Sequence, residues 1–379
     1  KTIVATAAIL KTANDDFKTL FMAPTEVLAN QHYEGLKKLL SNWGIKTALV
    51  TSNSKPENLN SYDVVIGTHA LLNDKLQINK LNLVIVDEQH RFGVNQRSKL
   101  KNQIQEDHTP HYLSLSATPI PRTIFLSLFS DLDVSTLDSV PQNRLPIITR
   151  LVTDTNKNKV LTLVKKEINS KHKVFVINPV IDQSKKGISS IQKIINEFKK
   201  EFPSFKIDGL HGRLSSEQKI NIMDDFKNGD LNILIATTVI EVGIDIPDAT
   251  IMWIKGAENF GLATLHQLRG RVGRSNLQSY CFVETNDKEK ESIDRLTMFI
   301  KTLDGSKLAK ADLNIRGPGA FFDTKQSGFL KLKIADITNI KLIKQAHKAA
   351  KKLLKEDPIL KNYPEIKKKI LTNLTAHSE

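Results

Sequence analysis

The sequence predicts an α/β protein made of two tandem units, each a parallel sheet flanked by helices. Three observations lead there. An apolar run without alternation, LVIV (83–86), reads as a strand buried on both faces, and YLSL (112–115) and KVFVI within 173–180 read as further strands. Helix-like stretches alternate with them at βαβ spacing, giving a doubly wound unit to about residue 140 and a second series from residue 173. Between the two series lies VPQNRLPIIT, whose two prolines mark a connection.

Bulk properties narrow the class. A chain of 379 residues with 40% hydrophobic content can hold two or three domains, and a formal charge of +14 points to a polyanion, nucleic acid first. The single cysteine, Cys281, excludes a disulfide framework and fits a reducing, cytoplasmic setting. No apolar run reaches the roughly 18 to 20 residues of a membrane span, and no signal peptide opens the chain. The first residue is Lys1 rather than Met, so the chain is expected to be a piece of something longer.

The first series opens with KTIVATAAIL, small and apolar as a buried helix would be. Lys-Thr at a helix start is how a phosphate-binding loop ends, and equally an ordinary helix N-terminus. In TLFMAPTEVLANQH, Leu20 to Ala23 read as a strand, Pro24 breaks it, and Thr25 can N-cap the next helix with Glu26 in its first turn. YDVVIGTHALL repeats the design, with Gly67 for the turn, then Thr68 and His69. Such ends can dock phosphates or simply turn the chain.

VIVDEQHRFG is the most informative stretch. Its strand stops on Asp87 and Glu88, where open α/β sheets place their chemistry. An acidic pair there suits a magnesium-dependent phosphate reaction, Asp87 holding the ion and Glu88 orienting an attacking water; the alternative is a solvated acidic turn. YLSLSATPIPRT follows, with hydroxyls at Ser116 and Thr118 and with Pro119 and Pro121 stiffening the loop.

In the second series, Ser215 or Ser216 can cap a helix that carries Ile220, Met223 and Phe226 on one face. A strand in LNILIATTVIEVGIDIP leads to Thr237, Thr238, Glu241, Gly243 and Asp245. LHQLRGRVGRS then interleaves Arg269, Arg271 and Arg274 with Gly270 and Gly273, a pattern favouring a closely approached phosphate site over a solvated basic loop. Beyond it, KEKESIDRLTMFIKTL reads as a charged helix that turns at Asp304-Gly305. An irregular loop holds Gly317, Pro318, Gly319, Gln326 and Gly328. Residues 340–379 read as lysine-rich helix with breaks at Pro358 and Pro364; such a face touches DNA or is merely solvated.

With VIVDEQHRFGVNQR, LSLSATPIPRT, ATTVIEVGIDIP and HQLRGRVGRS in this order, the chain resembles superfamily-two helicases. More narrowly it is similar to the RecG family of bacterial ATP-dependent DNA translocases, over essentially its whole length. The resemblance implies two RecA-like domains, a helical-hairpin and loop translocation motif, and a helical C-terminal tail. It implies ATP and Mg2+ as cofactors and branched or forked double-stranded DNA, as at stalled replication forks and recombination intermediates, as partner. Single-strand-binding protein is a further candidate partner, and the family habit is monomeric. The implied domains are residues 1–140 (RecA-like, N-terminally incomplete), 141–155 (linker), 156–285 (RecA-like), 286–330 (hairpin and translocation loop) and 331–379 (tail).

The family's motifs also carry residue roles onto this sequence. Lys1 and Thr2 would end the phosphate-binding motif, Thr2 and Asp87 would hold the metal, and Glu88 would activate water. Arg271 and Arg274 would be arginine fingers; Gly243, Asp245 and Gln267 would contact nucleotide. Ser116 and Thr118 would link hydrolysis to DNA movement, and Thr25, Gly67, Thr68 and Thr238 would grip the DNA backbone. Arg295 and Gln326 would belong to the translocation motif.

The sequence departs from the pattern in places. The glycine-rich loop before Lys1 and the N-terminal wedge domain are absent; Ala320 and Asp323 stand where an acidic residue and a glycine are expected, and Ser306 where an aromatic is usual. Two alternatives stand beside the main expectation. One is a translocase module like the transcription-repair coupling factor, against which Gln89, GPG at 317–319, KIAD and KEDPIL favour RecG. The other is a truncated DNA-binding remnant with little ATPase activity, because the phosphate loop is cut at Lys1.

Overall fold

A computed structural model of the chain describes residues 1–51, 56–68, 71, 78–88, 109–116, 133, 135, 137, 144–179, 185–237, 246–316 and 340–375. Its first sheet has strands β1 (Lys18–Met22), β2 (Thr47–Val50), β3 (Val64–Gly67), β4 (Leu81–Asp87) and β5 (His111–Leu115), in the order β2-β3-β1-β4-β5. All four pairings are parallel. Strand alternation sorts the side chains into two cores. Leu20, Met22, Val65, Val84 and Val86 face one way. Phe21, Val64, Ile66 and Ile85 face the other, against Ala5 and Ile9 of α1 (Thr2–Asn14) and Leu36 and Leu40 of α2 (Glu26–Leu40). Both faces being covered explains the continuous apolar run of residues 83–86 within β4.

Thr25 is the N-cap of α2, its side chain accepting the Leu28 N–H at 3.4 Å. The chain lays β2 and β3 on one side of β1 and β4 and β5 on the other. That reversal opens a crevice beyond the carboxyl ends of β1 and β4, the usual ligand position in such sheets.

The second sheet repeats the plan with β6 (Ile148–Val152), β7 (Lys173–Ile177), β8 (Lys206–Leu210), β9 (Leu231–Ala236), β10 (Ala249–Ile254) and β11 (Tyr280–Glu284), ordered β6-β11-β10-β7-β9-β8. Its core gathers Val174, Val176, Ile233, Ile235, Ile251, Trp253 and Phe282 with residues of α3 (Lys157–Asn169) and α4 (Lys185–Glu201). The next helix, α5 (Ser216–Asn228), has Ser215 rather than Ser216 as its cap. Gln218 completes a capping box, and Met223 and Phe226 are buried. One expectation changes here. Residues 148–152, expected to lie within a linker, form edge strand β6, paired in register with β11 from Tyr280↔Ile148 to Glu284↔Val152. The prolines end just before it, so nothing prevents the pairing.

Further along come α6 (Leu262–Arg269), α7 (Lys290–Lys301), α8 (Gly305–Arg316), α9 (Ile340–Glu356) and α10 (Pro364–Thr375). Asp304 turns the chain into α8, its carboxylate accepting the Ser306 N–H at 2.8 Å. Pro364 serves as the first residue of α10, where its missing N–H costs nothing. The helical residues from Ala309 onward belong to a second compact unit, not to the one that holds both sheets. On α9, Lys341, Lys348, Lys351, Lys352 and Lys355 are exposed. Among the described residues no helix is long and apolar enough to cross a membrane.

Gly67 has a packing reason rather than a turn reason. It ends β3, and a Cβ there would lie 2.3 Å from the Val50 carbonyl oxygen and 2.9 Å from Leu71 Cγ. Gly67→Ala should therefore destabilise the chain by at least about 1–3 kcal/mol. Chemical denaturation reads this as a lowered midpoint; an unchanged midpoint would show that β2 and β3 can part freely.

Candidate nucleotide site at the carboxyl edge of the first sheet

Asp87 is the last residue of β4 and Glu88 the first beyond it; their relative exposures are 8% and 6%. Two adjacent buried carboxylates repel each other and lose hydration, so they need donors close by. Lys1 supplies charge, its Nζ lying 3.4 Å from Glu88 Oε1 and 3.8 Å from Asp87 Oδ1. His32, from α2, places Nε2 2.9 Å from Asp87 Oδ2. The Glu88 N–H donates to Asp87 Oδ1 at 3.0 Å and to the Leu115 carbonyl at 2.9 Å. Burial alone would push the Asp87 carboxyl up. The His32 hydrogen bond, the charges of Lys1 and His32 and the Glu88 N–H together outweigh it and hold the group below the usual carboxylate range.

Glu88 has φ of +49°, the left-handed region that a residue with a side chain rarely adopts. The conformation costs about 1–2 kcal/mol, and the two bonds from its N–H fix it. Backbone strain of this kind gathers where a side chain must be aimed. Here it lets the chain leave the strand while Glu88 stays beside Lys1.

The donors present suit Mg2+. No group of three or more His, Cys, Asp or Glu able to hold a metal occurs among the described residues. What stands at the site is one carboxylate held ionised and the Thr2 hydroxyl, exposed at the first position of α1. Mg2+ is commonly held by one or two protein oxygens together with phosphates and water. Around the same sheet edge, Thr25 and Thr68 are half-buried and Ser116 is exposed, at the carboxyl ends of β1, β3 and β5 respectively.

In the second sheet the three arginines part company. Arg269, the last residue of α6, is buried and donates to the carbonyls of Phe299 and Thr302, both at 2.9 Å, with its guanidinium 4.4 Å from the Phe299 ring centre. It caps α7 from outside and so is a structural residue. Arg271 is buried beyond the helix, and Arg274 is half-buried, its Nε donating to the Gly270 carbonyl at 3.4 Å. Gly273, with φ of +73° and Ile147 Cγ1 2.9 Å from where a Cβ would sit, shapes that loop; Gly270 does not require glycine so strictly. Gln267 is half-buried on α6. Arg295, expected in the translocation motif, is buried and donates to the carbonyls of Phe260, at 2.6 Å, and Glu258, so its guanidinium holds a backbone turn. Thr118, Thr238, Gly243, Asp245, Ala320, Asp323 and Gln326 lie outside the described residues.

The comparisons with known proteins agree with this layout. Family models match in series: DEAD/DEAH box helicase over residues 1–125, helicase conserved C-terminal domain over 156–276, and ATP-dependent DNA helicase RecG, domain 3, C-terminal, over 302–374. The ATP-dependent DNA helicase RecG of Aquifex aeolicus is 41% identical over 98% of this chain and 49% of its own length. That of Thermotoga maritima is 44% identical over 91% of the chain and 46% of its own length. A solved structure of RecG bound to a three-way DNA junction matches with a TM-score of 0.73 at 40% identity, covering 90% of this chain and 45% of that one. The chain is a homologue of RecG. It spans about half the length of these curated RecG relatives. Yeast Dbp5 bound to RNA and ADP BeF3, with a TM-score of 0.61 at 19% identity, shares the fold of two RecA-like domains.

One pH effect follows from the Arg269 knot. Burial first, then the charge of Arg269, pushes the His266 pKa down to about 4, with Asp304 opposing. Its Nδ1 lies 3.0 Å from Arg269 Nη2 and accepts that donor, so the ring is neutral. Unfolded, the histidine titrates near 6.5. Between the two values the unfolded chain binds more protons, so stability falls as pH is lowered from 6.5 toward 4. His266→Asn keeps an acceptor and should remove part of that fall in a series of melting curves; an identical pH profile would contradict the assignment.

Proposed function

We propose that this chain is the motor portion of an ATP-dependent DNA translocase that remodels branched or forked duplex DNA, as RecG does. The observation that carries the proposal is the buried Asp87–Glu88 pair at the end of β4, with Lys1 of the α1 start 3.4 Å from Glu88. The RecG domain match at residues 302–374 supports this over a coupling-factor-like module.

In this mechanism Lys1 balances the acidic pair until the β- and γ-phosphates arrive, then turns its charge on them. Thr2 and Asp87 would hold Mg2+, which when bound neutralises charge on the phosphate oxygens. Glu88, 3.4 Å from Lys1, orients and polarises the attacking water. Arg271 and Arg274 stabilise the charge spreading over the transferring phosphoryl group, while Gly243, Asp245 and Gln267 seat the nucleotide. Thr25, Gly67, Thr68 and Thr238 are assigned to the DNA backbone, and Ser116 and Thr118 to the link between hydrolysis and DNA movement. Gln326 is assigned to the translocation loop and Arg295 to the helical hairpin of the same motif, where its guanidinium holds the turn from Glu258 to Phe260. The basic balance of the chain, +14, suits a phosphate backbone. The domain limits set out from the sequence are kept, with β6 joined to the second RecA-like domain. A cytoplasmic location, a monomeric state and single-strand-binding protein as further partner are carried over with the family.

Glu88→Gln removes the charge and keeps the shape. Hydrolysis should fall by about 10²–10⁴-fold, with MgATP affinity largely kept, as read by steady-state turnover beside calorimetric binding. Normal turnover would sink the role given to Glu88.

A further inference from the structure

α2 buries Leu28, Leu36 and Leu40, and four-residue spacing from Leu28 and Leu36 places His32 on the same inward stripe. A leucine would fit the pattern there; a histidine needs a reason. Its ring packs on the buried ring of Phe21 from β1, with centroids 4.7 Å apart, and its side chain is 14% exposed. Nε2 is 2.9 Å from Asp87 Oδ2. An ionised carboxylate only accepts, so Nε2 carries the proton and donates.

The two oxygens of Asp87 are therefore distinguished. Oδ2 is taken from the α2 side by His32, whereas Oδ1 receives the Glu88 N–H at 3.0 Å and faces Lys1 Nζ at 3.8 Å. Turning the carboxylate would break the bonds to both oxygens together. We propose that His32 is a positioning residue for Asp87, holding Oδ2 so that Oδ1 is presented to the metal and nucleotide at the Lys1–Thr2 helix start. This rests on the function proposed above. Carboxylates that ligate metals are themselves hydrogen-bonded, and losing such a partner costs about 10–100-fold in metal affinity or activity. A histidine kept only for packing would not show this cost.

The test uses the full chain, ATP, and Mn2+ as the probe, with free Mn2+ followed by electron paramagnetic resonance. ATP affinity in EDTA is measured alongside by calorimetry. His32→Phe keeps a ring against Phe21 and loses the donor. It should raise the Mn2+ concentration for half-saturation about ten-fold or more while leaving metal-free ATP binding close to that of the parent. His32→Gln restores an N–H donor without the ring and should recover most of the metal affinity. If His32→Phe does not fold, His32→Leu completes the leucine stripe and takes its place. Parent-like Mn2+ binding in the donor-less variant overturns the inference, as does His32→Gln binding no better than His32→Phe. A parent chain that takes up no Mn2+ with ATP overturns the proposed function itself and the inference with it, a result distinct from the other two.

Discussion

The buried negative charge of Asp87 is the constraint to which the first half of the molecule answers. A carboxylate at 8% exposure beside a second one at 6% can stay ionised only if donors surround it. They come from three elements: Lys1 at the start of α1, His32 from α2, and the Glu88 N–H at the end of β4. The parallel register brings Leu115 opposite Asp87, so its carbonyl can pin Glu88 in the left-handed region. The same arrangement fixes the pair in space.

The second half shows how geometry divides like residues among unlike tasks. Arg269, Arg271 and Arg274 sit within six positions of one another in one motif, yet Arg269 spends its guanidinium on carbonyls at the end of α7. Arg295 does the same at the turn around Phe260. Both tie α7 to neighbouring elements of the second sheet's unit. Arg271 and Arg274 lie beyond the helix, buried and half-buried, in a loop that Gly273 shapes.

Much of this was legible in the sequence because local patterns are also physical ones. Residues 83–86 read as a doubly buried strand because no polar residue interrupts them, and the caps at Thr25 and Ser215 were visible as hydroxyls ahead of apolar periodicity. Gly67 was legible as special but not for the right reason: its constraint is the Val50 carbonyl, seventeen residues away, rather than a turn. β6 was hidden by the prolines before it and by needing β11, more than a hundred residues later, to pair with. His32 escaped notice because its partner lies 55 residues on, and no spacing rule links a helix position to a strand end. The separation of Arg269 from its neighbours likewise depends on where α7 returns.

The most direct measurement is ATP hydrolysis by this chain without DNA, with linear duplex and with a three-way junction, over a range of salt. The account predicts hydrolysis that rises with DNA, most with the junction, and a stimulation that fades as salt displaces the phosphate contacts. MgATP binding without any DNA-dependent hydrolysis, at low salt and with each DNA, would contradict it.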